Sequence, residues 1–504
     1  MKRIAKYLIP ALFAAIVFPA CSDLEKKLLT VEVIGKNTIE GFMKEYDGYV
    51  AAGEGLHAEL RSFYPIRIKY AEIAGDLLNI TASADDGDRL LFNYQMEQHH
   101  VATYPRTYWA AGWSIVTQVS YIIKYGQINL DQDWTASEKA VVRKIMAQAH
   151  FARALAMFDI CNAYAQPYNY TADHKHIGIP ILTHVAAFDE ELPRKNVDEV
   201  YAQILADLAE AMSLFDEVEK VAPAAVQKSK ISDCYHISYI ACEALLARIY
   251  LYMEEWEKAA QYSKSVMEKV ALSPASEYIN MYRTSQAVPG TEAILRINNY
   301  AASSTMSSFF DPTRSGGAKF EPAPLMYSIY DADDVRKQLL TYVPEANETG
   351  LIAGQTPNAV CKYLWKKSII DENLQCHDNF VFRASEMYLI HAEAVLKHNS
   401  DVASASSDLK AIIARAKGVD ASAVSLPSTV DGLLEAVKTE RVKELCFEGH
   451  RIFDIIRRKE NLVRTNNADV KTVTYPNNRF ILPIDQMEMQ SNEAMIQNKG
   501  YETN

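Results

Sequence analysis

The segment Glu138–Tyr164 constrains the fold most, because its apolar residues keep a helical period on two faces at once. Val142, Ile145, Met146, Ala149, Ala152, Ala156 and Ile160 recur at three- and four-residue steps, the spacing of one helix face. Phe151, Leu155 and Phe158 populate a second face. A helix that is apolar on two faces is packed between neighbours, so this chain must build several helical layers around it. Pro167 ends the run, and Asn196 is the expected N-cap of a following helix over Val197–Phe215.

Further helices are expected to come in pairs. Ile237–Lys269 reads as a helical hairpin: Ala247 is small where two helices approach, Tyr250 follows three residues on, and Ala259 sits on the returning helix. This resembles a tetratricopeptide repeat, in which each helix pair buries its apolar face by stacking on the next. Looser versions occur at Met146–Tyr168 and Glu386–Lys417. The expected fold class is mainly α: tetratricopeptide-like helical hairpins forming a right-handed helical scaffold, with long irregular loop insertions and a few short strands. The insertions are Ala82–Arg106, with Asp85-Asp86-Gly87-Asp88 and His99-His100, and Arg283–Leu364, with Pro, Gly and Ser clusters and a strand-like run at Ala293–Ile297. Loops of this length on a helical scaffold usually carry function.

The N-terminus reads as a secretion signal. Lys2, Arg3 and Lys6 form a positive start, and Leu8–Ala20 is almost wholly apolar but interrupted by Pro10 and Pro19. A spanning helix needs about 20 apolar residues, so this run is a signal-peptide core over residues 1–20. It ends in Phe18-Pro19-Ala20-Cys21, which resembles a bacterial lipobox and implies acylation of Cys21. Several acyl chains, at about 0.8 kcal/mol per buried methylene, would hold the protein to a membrane. The acidic stretch Ser22-Asp23-Leu24-Glu25 resembles an export signal for the outer face of the outer membrane. An ordinary secretory peptide with an incidental Cys is the alternative.

Charge narrows the function. Lys plus Arg number 52 against 64 Asp plus Glu, a net −12 that falls by three once Lys2, Arg3 and Lys6 are removed. A nucleic-acid binder carries a basic field, so no nucleic-acid partner is expected. Of seven Cys, the six beyond Cys21 fit no metal spacing. Cys234 and Cys242 are expected on one helix, about 12 Å apart by helical rise, too far for a disulfide. A bridge between Cys361 and Cys376 stays open.

Three pieces near the C-terminus carry a family resemblance. They are Phe382-Arg383-Ala384-Ser385-Glu386 leading to Ala392-Glu393-Ala394, then Glu440-Arg441 through Glu444, Glu448-Gly449, Arg451 and Asp454, then Phe480-Ile481-Leu482-Pro483-Ile484 leading to Gln497-Asn498-Lys499-Gly500-Tyr501. In this order they resemble the RagB/SusD family. Lys499 stands where the family pattern prefers Pro, a change expected to touch only a surface turn. Ala149–Ala154 and Leu192-Pro193-Arg194 through Tyr201 fit the same family earlier in the chain. The resemblance divides the chain into the signal, a SusD-like N-terminal part (21–215) and a RagB/SusD C-terminal part (216–504), packed as one unit. It implies a non-enzymatic, lipid-anchored outer-membrane protein facing the cell exterior. It implies capture of oligosaccharide or polysaccharide and its delivery to a SusC-like TonB-dependent transporter, with no cofactor.

Glycan binding needs aromatic rings on irregular loops with amides and carboxylates beside them. The candidates in the two insertions are Tyr94, Tyr104, Tyr300, Phe309, Phe310, Phe320, Tyr327, Tyr330 and Trp365. Trp109 and Trp113, four apart on an expected helix, read as core. Glu444 and Glu448 are also four apart and could form a glycosidase pair. Carboxylates on one helix rarely straddle a substrate, however, and Arg441 and Arg451 lie three residues to either side, so ion pairing is expected instead. His99-His100 and the His174/His176 pair lack ligand-spaced carboxylates, and Asp85, Asp86 and Asp88 lack the full Ca²⁺-loop pattern; no metal site is expected. No catalytic motif stands out. The competing readings are a peptide-capturing member of the same uptake class, a lipid-anchored helical-repeat scaffold for protein partners, and an enzyme such as a glycosidase.

Overall fold

The computed structural model describes residues 38–100, 103–283, 291–297, 306–312, 317–341, 358–363 and 378–502. Cys21, Tyr300, Trp365 and Cys376 lie outside them. The described residues are mainly helical. In chain order the elements used below are α1 Ile39–Lys44, α2 Tyr46–Ile73, β1 Leu78–Ile80, α3 Asp86–Phe92, α4 Tyr104–Leu130, α5 Ala136–Tyr164, α6 Val197–Val221, α7 Tyr239–Met253, α8 Trp256–Met267, β2 Ala293–Ile297, β3 Phe320–Pro322, β4 Asn379–Arg383, α9 Ala384–Asn399, α10 Val402–Lys417, α11 Val430–Leu445, α12 Arg451–Arg457 and α13 Gln486–Ser491.

Helix α5 is the two-faced helix expected from the sequence, and it packs against α2, α4 and α6. Thr135 and Glu138 close a capping box at its start, each satisfying a backbone N–H that the first turn leaves free. Its pairing with α6 is antiparallel. Arg143 binds Glu217, Arg153 binds Asp207, and Tyr201 reaches Asn162, so position rises on one helix as it falls on the other. This corrects the expectation of a hairpin inside Met146–Tyr168: Met146–Tyr164 continue one helix, and its partner arrives only after Asn196 has capped α6.

The other two hairpins are present. Helices α7 and α8 meet at Glu254, and α9 and α10 meet at Ser400, both residues in left-handed backbone with φ of 60°. The α9 helix lies against α8, so the hairpins stack, and α11 closes the layer. Leu389, Leu396, Leu409, Ile412, Leu433 and Val437 are buried between α9, α10 and α11. Cys234 lies before α7 rather than on it, which corrects the shared-helix expectation. Cys161, Cys234, Cys242 and Cys446 are buried free thiols, and burial pushes Cys161 up to about 12 and Cys234 to about 11.

Among the described residues, three two-stranded antiparallel ladders interrupt the helices. The β1–β3 ladder pairs Leu78 with Pro322 and Ile80 with Phe320, fixing the late insertion to the segment that leads into the early one. The β2–β4 ladder pairs Ala293 with Arg383 and thereby sets Glu292 beside Arg383 (2.7 Å).

That contact opens a buried charge cluster. Arg383 also binds Glu444 at 2.5 Å and Glu448 at 2.8 Å. Glu444 takes Arg336 at 2.8 Å and Arg415 at 2.7 Å, and Lys362 binds Glu448. Ion pairing of Glu444 and Glu448 is therefore as expected, but the partners differ. Arg441 binds Asp454, and Arg451 binds Asp76. Helix α11 ends at Leu445, and Phe447 turns the chain at φ 66°, so Glu448 lies past the helix rather than on its face.

Removing one member of such a cluster strands the others in a low-dielectric interior. Glu444→Ala should lower stability by about 3–5 kcal/mol in denaturant unfolding, while the exposed Glu435→Ala should stay within about 0.5 kcal/mol.

The cluster also predicts acid sensitivity. Arginines hold Glu444, Glu448, Glu393 and Asp454 below the ordinary carboxylate range despite burial. Folded values below unfolded values of about 4 mean full stabilisation above about pH 5, lost as pH falls through the folded values. Glu72 acts with the opposite sign: burial pushes its carboxyl up to about 7, so its ionisation costs stability as pH rises toward neutrality. Thermal unfolding against pH should therefore fall steeply below about pH 4, and Glu72→Gln should flatten the slope between pH 5 and 7.

Candidate ligand-binding cleft

The early turns of α4 form the floor of a cleft. Thr103 is extended and Pro105 occupies the first helical turn, where its missing N–H costs no bond. Arg106, Trp109, Ala110 and Trp113 then recur at helical spacing and line one cavity of about 580 Å³, a volume typical of small-ligand sites.

A second wall is the loop between α5 and α6, contributing Pro180, Phe188, Glu190 and Leu192. Glu190 braces this loop: it receives His184 Nε2 at 2.9 Å and the backbone N–H of Ala187 at 3.1 Å. Phe188 is fully exposed, at 108% of its reference surface. An isolated ring left wholly in water forgoes about 1.5–3 kcal/mol of burial, and a ring at a cleft mouth can recover that on a ligand.

The third wall is α13 with its flanks: Asp485, Met487, Glu488, Ser491 and Asn492. Asp485 caps the helix by accepting from the N–H of Met487 at 2.8 Å. Glu488 accepts the Trp109 indole N–H at 3.3 Å, and Asn492 donates to the Leu192 carbonyl at 3.1 Å, tying the third wall to the second. Burial raises the Glu488 carboxyl above its usual range, against the opposing hydrogen bonds from Asn492 and Trp109.

The two tryptophans differ. Trp109 is 4% exposed, at 5.5 Å from Trp113 and edge-on to Tyr164 at 5.0 Å. It is core, as expected. Trp113 is only half-buried, and its indole N–H is buried without a hydrogen-bond partner among the described residues. A buried donor without a partner is rare; the ring itself is the part of Trp113 that lines the cavity. The cleft therefore offers ring faces beside hydrogen-bond acceptors, a surface suited to a hydroxylated ligand with apolar faces.

The rings expected from the sequence lie elsewhere. Phe309 (1% exposed), Phe310 and Phe320 (both 0%) are core residues. Phe309 stacks on Phe320 at 4.5 Å, Phe310 stacks on Tyr363 at 5.7 Å, and the Lys69 ammonium sits 4.9 Å from the Phe309 centroid. With their faces spent on one another they have none for a sugar, which corrects the expectation for these three. Tyr94, Tyr104 and Tyr330 use their hydroxyls internally, on the Ala74 carbonyl (2.7 Å), Asp88 (2.9 Å) and the Lys443 carbonyl (2.8 Å). Tyr327 is half-buried and donates to the Leu340 carbonyl at 3.2 Å. None of these lines the cleft.

The acidic turn Asp85–Asp88 is neutralised in part by Lys319, which pairs with Asp85 and lies 3.6 Å from Asp88. Phe188, Glu190, Glu488 and Asn492 were missed. The one available signal was Phe188, an aromatic ring directly before Asp189-Glu190-Glu191 in the segment between Pro180 and Pro193.

The described helical hairpins thus carry a cleft walled by two connecting segments and a short helix. Two family models match the chain: the SusD family over residues 307–501, and a family described as starch-binding and associating with the outer membrane over residues 79–251. The chain is a member of the SusD-like family.

Solved structures share its fold. A SusD superfamily protein from Bacteroides vulgatus is 22% identical with a TM-score of 0.73, covering 91% of this chain and 99% of that one. A SusD superfamily protein from Bacteroides thetaiotaomicron is 20% identical with a TM-score of 0.75, covering 90% and 99%. A laminarin-binding SusD-like protein is 19% identical with a TM-score of 0.65, again covering 90% and 99%. No curated protein matches the chain.

Trp109→Ala should cost about 3–5 kcal/mol of stability, as for other large-to-small core changes. Phe188→Ala should change it by no more than about 0.5 kcal/mol, so thermal denaturation separates the floor from the rim.

Proposed function

We propose that this protein captures oligosaccharide or polysaccharide at the outer membrane and delivers it to a SusC-like TonB-dependent transporter, without catalysing a reaction. The observation that carries the reading is the cleft. Phe188 and Trp113 line the same cavity as Glu488 and Asn492, which combines ring faces for the apolar side of a sugar with polar groups for its hydroxyls. The described family association with the outer membrane and the laminarin-binding relative support the same reading. Cys21 is the proposed acylated residue holding the protein to the outer face of that membrane. Tyr300 and Trp365 remain proposed contributors of rings from the second insertion.

The test is titration calorimetry on a soluble form starting after Cys21, which keeps every described residue, against a panel of dietary and host polysaccharides. Saturable binding to one glycan class is expected. Trp113→Ala should weaken it about tenfold or more, as for an anchoring aromatic. Binding left unchanged by both Trp113→Ala and Phe188→Ala would place capture outside this cleft.

A further inference from the structure

We infer that the cleft selects uncharged glycans over uronate-bearing or sulfated ones; this rests on the capture reading above. Hydrogen-bond bookkeeping of the three walls carries it. On the acceptor side stand the carboxylates of Glu190, Asp485 and Glu488. A carboxylate only accepts, through about four lone-pair sites; Glu190 already accepts from His184 and the Ala187 N–H, Asp485 from the Met487 N–H, and Glu488 from Trp109 and Asn492, so it is the remaining sites that take donors from a ligand.

On the donor side the supply is short. The Trp109 indole N–H is already given to Glu488, and the Asn492 amide is given to the Leu192 carbonyl and to Glu488. The Trp113 indole N–H is buried and the Ser491 hydroxyl is turned to the Glu488 carbonyl, which leaves the exposed Arg106, one of whose N–H groups rests against the Met487 sulfur. Arg106 is the one cation among the lining residues, and His184 is drawn away onto Glu190.

A sugar hydroxyl both donates and accepts, so it satisfies a carboxylate and loses nothing. A uronate or sulfate group only accepts. Against these walls it would face like charges and leave carboxylate lone pairs unmet, the repulsive arrangement by which binding sites reject a wrong ligand. The chain's net charge of −12 adds a field of the same sign.

The experiment uses the full chain in detergent and a matched ligand pair. The neutral polysaccharide found to bind is oxidised at its primary hydroxyls, turning them into carboxylates on the same backbone. Pectate, chondroitin sulfate and chitosan complete the panel. The expected result is a neutral ligand whose affinity is indifferent to added salt, with its oxidised form weaker by about tenfold or more. Combining Asp485→Asn with Glu488→Gln should narrow that ratio to roughly threefold, and Asn retains the capping role at position 485.

Equal or tighter binding of the oxidised form, or preferred binding of pectate or chondroitin sulfate, would overturn the proposal without touching capture. Salt-sensitive binding of chitosan alongside rejection of the oxidised form would support the same acidic-wall argument. If no glycan of any charge binds, the capture reading fails and the selectivity fails with it. The wild-type ratio needs no variant, so a substitution that unfolds the protein leaves the test intact.

Discussion

The turn from Glu444 to His450 is the point on which the rest of the molecule depends, because buried charges from distant segments converge there. Arg336, Lys362, Arg383 and Arg415 meet Glu292, Asp334, Glu440, Glu444 and Glu448 with side chains almost wholly buried. Across the turn, Arg67 of α2 donates to the Gly449 carbonyl at 2.8 Å and to Asp159 of α5 at 3.0 Å, while Glu72 accepts the N–H of Gly449 at 2.8 Å. Gly449 sits at φ 83° with the Arg67 guanidinium 2.5 Å from where a Cβ would stand, so a side chain there would be strained and would press on the clamp. None of these charges would tolerate burial alone. Together they require that the helices of the N-terminal half and the stacked hairpins of the C-terminal half be present at once.

A second, smaller knot holds the cleft. Arg194, following the rim loop, donates to the carbonyls of Gly178 (2.6 Å), Tyr164 (2.9 Å) and Ile496 (2.9 Å), and to the Asn498 side chain (2.9 Å). Asn498 in turn donates to the carbonyls of Tyr164 and Leu482. The end of α5, the rim loop and the C-terminal segment bearing α13 are thus pinned to one another. The terminal Gln497-Asn498-Lys499-Gly500-Tyr501 run has a structural meaning: it sews the third wall onto the first helical layer. Lys499 itself is exposed, in keeping with a surface turn.

What could be read from the sequence was whatever is local and periodic. The two-faced α5, the cap at Asn196 and the hairpins at Ile237–Lys269 and Glu386–Lys417 follow from residue spacing and capping chemistry, and the structure contains each. The supposed hairpin at Met146–Tyr168 failed because small and aromatic residues at helical spacing look the same whether the partner helix follows at once or only after the loop that builds the rim. The ring candidates failed for a related reason. Phe309, Phe310 and Phe320 sit in a Pro- and Gly-rich stretch that looks exposed, yet the β1–β3 ladder folds that stretch onto α2 and α3, where Phe320 meets Phe92. The cleft was illegible because its walls come from residues near 106, 188 and 488, and no spacing rule connects segments brought together by long-range hydrogen bonds.

The measurement that bears most directly on the whole account is a crystal structure with a bound oligosaccharide from whichever glycan the protein takes up. The account predicts sugar rings between Trp113 and Phe188, with hydroxyls donating to Glu488 and Asp485. Sugar bound instead at the corner of Asp85 and Lys319, or along the hairpin stack, with the cleft unchanged, would contradict it.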